Sequence, residues 1–159
     1  LHYLKMDKFT PLELPPAELK LSRKGQQIMV WDELRKKHLV LTPEEWVRQH
    51  LVHYMRRDLA YPITSFALEG GFKLMGKIQR SDLLIYRQGK PILLGECKAP
   101  QVKISQETFD QACRYNLHYK VPYLLISNGL ETYWAKVHFE EARLEFLKEP
   151  LSFSALLGS

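Results

Sequence analysis

Three residues combine types and spacing that suit chemistry: Asp82, Glu96 and Lys98. Glu96 and Lys98 end the run "PILLGECKA", and Asp82 opens "SDLLIY". Charged side chains are rarely buried without a partner, so charges closing an apolar strand need a reason. Residues i and i+2 of a strand share a face, so Glu96 and Lys98 project together and Cys97 points away. The short turn "RQGK" predicts that the two strands are antiparallel neighbours, which brings Asp82 to Glu96. Two adjacent carboxylates repel and raise a pKa, and a divalent cation reverses that logic. Mg²⁺ takes oxygen ligands and keeps several waters. Asp82 and Glu96 as metal ligands, with Lys98 holding or activating a water, would hydrolyse a phosphodiester. Glu-x-Lys alone is more simply a surface ion pair; Asp82 at hairpin distance shifts the balance toward a site.

The elements that must place these residues follow from periodicity and turn chemistry. Residues 1–17 read as an irregular, proline-bearing arm. "AELKLS" and "QQIMVWDEL" flank a glycine turn and predict a β-hairpin, with "KKHLVL" as a third short strand. "LTPEEWVRQHLVHYMRRDLAY" predicts a helix: Thr42 as N-cap, Pro43 in the first turn, Glu45 completing a capping box, Pro62 as the stop. "ITSFALE" and "FKLMGKIQ" predict a second hairpin turning at Gly70–Gly71. "SQETFDQACRYNLHYK" predicts a helix capped by Ser105, and "VPYLLIS" a buried strand before the Asn128–Gly129 turn. Two strands in "LETYWAKVHF" and "ARLEFLKE" and a short helix in "LSFSALLG" close the chain. The expected fold is α/β, a mixed β-sheet flanked by helices. One domain over 18–159 is expected, with a hairpin extension (18–41), a core (42–148) and a short C-terminal helix (149–159).

The composition excludes some classes. The 159 residues suffice for one domain with a real core. No apolar run approaches a bilayer span, the start has no signal-peptide pattern, and the two cysteines read as reduced core thiols, so a cytoplasmic protein is expected. Six histidines form no ligand-spaced cluster with cysteines, which argues against zinc. The net charge of +5 and pI near 9.2 allow a polyanionic partner.

"RSDLLIY…PILLGECKAP" resembles the Asp…Glu-x-Lys core of PD-(D/E)xK nucleases. With "LTPEEWVRQHLVHYM", "FDQACRYN" and "VPYLLISNG", it resembles the N-terminal nuclease domain of type I restriction-enzyme R subunits, in a small stand-alone bacterial form. The resemblance spans about residues 18–148. It implies a restriction-endonuclease-like core, Asp82 and Glu96 as metal ligands, Lys98 as catalytic lysine, Mg²⁺ (or Mn²⁺) as cofactor and DNA as substrate. It further implies a Gln-x-x-x-Tyr motif at Gln111 and Tyr115 that positions DNA and the lysine or water; their plain reading is a solvated glutamine and a core tyrosine. An acid on the first helix often completes such a metal site. Glu44 is favoured by its spacing from Val47 and Leu51, and Glu45 and Glu69 are alternatives. Arg80 and Lys77 are candidates for phosphate contacts, or a solvated turn. Ser81 departs from the family's proline but removes no ligand. Full R subunits continue into an ATP-driven translocase, and this chain carries no P-loop, so a motor or specificity subunit would be a separate partner. A non-catalytic nucleic-acid-binding or protein-interaction module on the same fold is the second reading, and an oligomerisation unit the third.

Overall fold

The structure, a computed structural model, describes residues 9–67, 72–74, 77–79 and 82–156. It is α/β, as expected. Strands β1 (Leu21–Lys24), β2 (Gln27–Asp32) and β3 (Lys37–Val40) form an antiparallel meander, the expected hairpin with "KKHLVL" as its third strand. Helix α1 (Pro43–Arg57) follows at once. Thr42 caps it by accepting from the Glu45 N–H at 3.0 Å. The predicted capping box is only half formed, because the Glu45 carboxylate turns to Arg48 and Gln49 instead.

The larger sheet runs β10–β9–β8–β7–β6, from β6 (Leu83–Arg87), β7 (Lys90–Cys97), β8 (Tyr123–Ser127), β9 (Thr132–His138) and β10 (Arg143–Phe146). All its pairings are antiparallel except β7 with β8, which helix α2 (Gln106–Tyr119) connects. Strands β7 and β8 read as unbroken apolar runs because both faces of the sheet are covered. Leu83, Ile85, Leu93, Cys97 and Leu125 pack with Val47, Leu51 and Met55 of α1. Leu84, Leu94, Leu124 and Ile126 pack with Ala112 of α2. Buried Asn116, in the last turn of α2, aims the chain into β8 by exchanging side-chain hydrogen bonds with both backbone groups of Val121 (2.8 and 2.9 Å).

Two expectations change. Over its described residues, 63–67, "ITSFALE" does not form a strand: Ile63–Ser65 is a 3-10 turn, followed by a single bridge from Phe66 to Ile85. Ser65 Oγ donates to the Pro62 carbonyl at 2.6 Å, a local bond that competes with a strand ladder. The second hairpin lies instead within "FKLMGKIQ", where β4 (Phe72–Leu74) pairs with β5 (Lys77–Gln79). Gly70 and Gly71 lie outside the described residues. The short C-terminal helix is a 3-10 turn, Phe153–Ala155.

The described part of the proline-bearing arm, residues 9–17, is tied to the rest of the fold. The Gly129 carbonyl accepts from the Glu13 N–H at 2.9 Å, and Trp46 Nε1 donates to the Thr10 carbonyl at 3.0 Å. Gly129 has φ +84°, and a Cβ there would lie 2.5 Å from Leu12 Cδ2. Gly129→Ala is therefore expected to cost about 1–3 kcal/mol, seen as a lower urea midpoint at unchanged m.

Candidate active site

The β6–β7 register pairs Leu83 with Gly95, which sets Asp82 beside Glu96 at the sheet's end. Gly95 permits the close approach: a Cβ there would meet Leu83 Cβ at 3.0 Å. Asp82 Oδ2 accepts from the Cys97 N–H at 2.7 Å, which fixes its carboxyl against β7. Glu96 follows Leu94 at i+2 and so shares the α2 face, and Lys98 continues that alternation. The Lys98 N–H donates to the Ser127 carbonyl at 2.9 Å, extending the pairing with β8. Cys97 points the other way, into the α1 core.

Glu96 is 8% exposed, and its Oε1 has no hydrogen-bond partner. Burial, then the neighbouring Asp82, pushes its carboxyl up to about 9, while Lys98 pulls it down. Burial also raises Asp82, against the Cys97 N–H, the Glu96 hydrogen bond, Arg48 and Lys98. The two carboxyls are in hydrogen-bond contact, so without a counter-charge they hold a proton between them.

This donor set fits a hard divalent cation. It offers carboxylate oxygens only, and one is buried without a partner. No group of three His, Cys, Asp or Glu residues gathers among the described residues. Two protein carboxylates with water or phosphate completing the shell suits Mg²⁺, which retains water.

The other sequence candidates fall as follows. Gln111 and Tyr115 share one face of α2, joined by a Gln111 Nε2–Tyr115 Oη bond of 3.2 Å. Glu44 is exposed and does not face the core, contrary to its helical spacing. Glu45, half-buried, has both oxygens engaged by Arg48. Glu69, Arg80 and Ser81 lie outside the described residues, and Lys77 is described only as the β5 backbone partner of Leu74.

Sequence reasoning missed Arg48. It is 4% exposed and bonds both Glu45 and Asp32, the latter at 3.0 Å. Burial alone would weaken its charge, but Glu45 and Asp32 more than offset that. Burial likewise pushes Asp32 up, and Arg48 and Arg35 bring it below its ordinary value. Arg48 also acts on Asp82, so β2, α1 and the carboxyl pair are electrostatically joined. The available signal was a charge in register with Val52 and Met55, with an acid three residues before it.

A mixed sheet between helices, with paired carboxylates and a lysine where a hairpin meets a parallel strand, defines a nuclease-like α/β domain. The family model for the type I restriction enzyme R protein N terminus matches residues 43–150. The chain belongs to that family. The match begins at α1, so the N-terminal sheet lies outside it. Comparisons with curated proteins and with solved structures gave no match. Among the described residues, no helix is long and apolar enough to cross a membrane.

Proposed function

We propose that the chain is a PD-(D/E)xK-type nuclease domain that hydrolyses DNA phosphodiesters with Mg²⁺, Mn²⁺ substituting. The observation that carries the reading is Glu96: a buried carboxyl with an unpartnered oxygen, beside Asp82 and within the field of Lys98. The cation supplies Lewis-acid stabilisation of charge developing on the phosphate. Asp82 and Glu96 hold it, and the Cys97 N–H orients Asp82. Lys98 positions the attacking water and balances the carboxylates. Gln111 and Tyr115 form the α2 wall against the DNA backbone. DNA and a separate motor or specificity subunit are the proposed partners, and residues 18–159 the proposed domain. Incubation with DNA should give Mg²⁺- or Mn²⁺-dependent cleavage that chelator stops and Glu96→Gln removes. Cleavage in chelator, or undiminished cleavage by Glu96→Gln, would contradict the site.

The carboxyl pair adds a linkage test. A carboxyl whose folded pKa is raised contributes stability below its unfolded pKa and loses it as pH rises through the folded one. The metal-free protein should therefore lose Tm as pH climbs from about 5 toward the Glu96 value of about 9. Metal binding needs both groups ionised and releases their proton. The Tm gain from Mn²⁺ should grow across that window; a gain flat in pH contradicts the shared proton.

A further inference from the structure

The N-terminal sheet has two unlike faces. Leu21, Val30 and Leu39 oppose one another in the register and pack with Trp46 and Phe9. The opposite face carries Ser22, Met29 and Val40 in one row and Trp31 with His38 in the next. Val40 is 42% exposed. Trp31 is half-buried, belongs to none of the core clusters, and lies edge-on to the His38 ring at 4.9 Å. The other tryptophans, Trp46 and Trp134, are 7% and 4% exposed.

Charge on this face is one-sided. The three strands contain a single acid, Asp32, which points to the inner side and is neutralised by Arg35 and Arg48. Glu33 in the following turn pairs with Lys20. Lys24, opposite Gln27 on the outer side, and Lys36, in the turn after β2, are exposed and have no ion pair among the described residues, whereas Arg23 and Lys37 lie opposite Ile28 and Asp32 on the inner side. Lys24, paired with Gln27, and Lys36, in the turn beyond Asp32, mark opposite ends of β2, whose six residues span about 20 Å at ~3.4 Å each. Protein interfaces deplete lysine at their cores, whereas an aromatic ring flanked by unpaired cations suits stacked bases joined by phosphates.

We infer that the outer face of the β1–β3 sheet binds nucleic acid with unpaired bases, one base stacking on Trp31 while Lys36 and Lys24 meet phosphates at different points along the same strand. This rests on the nucleic-acid reading above and adds a surface outside the family match. The Asp32–Arg48 ion pair holds the platform to α1, and through Arg48 to the field at Asp82.

The test titrates single-stranded oligothymidylate into the full chain in chelator, where nothing is cut, and follows tryptophan fluorescence. Stacking on Trp31 should quench it, since the other two tryptophans are buried. Trp31→Ala should remove the quench and weaken binding about tenfold, with Trp31→Phe recovering part of the affinity. Lys24→Glu combined with Lys36→Glu should flatten the salt dependence. Unchanged quench in Trp31→Ala, duplex binding as tight as single strand, or an equal response to heparin, which has no bases, would each overturn the proposal. So would a parent dimer that Trp31→Ala converts to monomer at unchanged affinity, because the face would then serve a second copy. The two readings fail separately. Oligonucleotide binding of the expected pattern without Mg²⁺-dependent cleavage removes the nuclease and keeps the platform. Cleavage by the parent, with Trp31→Ala and the lysine variants binding and cutting as the parent does, removes the platform and keeps the nuclease.

Discussion

Lys98→Ala is expected to lower DNA cleavage by about a thousandfold or more, the scale of losing one preorganised charge aimed at a transition state. The fold should survive. Lys98 is half-buried, and what it gives the sheet is its backbone bond to Ser127, which alanine keeps. Its ammonium acts on both carboxyls, so the variant also leaves Asp82 and Glu96 without that balancing charge. Metal affinity should change little, because protons then compete better for the pair while one repulsion on the incoming cation is gone. Single-turnover cleavage at saturating Mn²⁺ separates the two effects. A variant rescued fully by more metal would place Lys98 in metal binding alone; one that cuts as well as the parent would remove it from the site.

Arg48→Met is the second large effect, and it falls on stability. The change leaves Asp32, 1% exposed, with Arg35, the Leu34 N–H and a long bond from Gln49 Nε2 (3.4 Å), and it leaves the Glu45 carboxylate to Gln49 alone. Breaking a buried charge pair from one side costs about 3–5 kcal/mol. Urea unfolding should show that loss. Adding Asp32→Asn to Arg48→Met should recover part of it, because the orphaned charge is then gone. A loss below about 1 kcal/mol would mean that the network is solvated and does not join β2 to the site.

What the sequence made legible was local. The Thr42 cap, the apolar runs of β7 and β8 and the glycine turn before β7 each act within a few residues, and they suffice to bring Asp82 to Glu96. Helical spacing failed for Glu44 because periodicity names a face without saying whether anything packs there. Thr42, Pro43 and Glu44 are exposed, and burial becomes continuous only from Trp46 onward. The role of Arg48 was hidden for a related reason: its partner Asp32 comes from another sheet, and only tertiary packing shows that both are buried. "ITSFALE" alternates like a strand, but the Ser65 bond to Pro62 closes a turn within it.

The central claim is that Asp82 and Glu96 hold a cation. Crystals soaked in Mn²⁺ and measured at its absorption edge test it most directly. The account predicts an anomalous peak between the two carboxylates, with Glu96 Oε1 among the ligands and the carboxyl–carboxyl hydrogen bond broken. No peak there at millimolar Mn²⁺, with the carboxyls still bonded to each other, would contradict it.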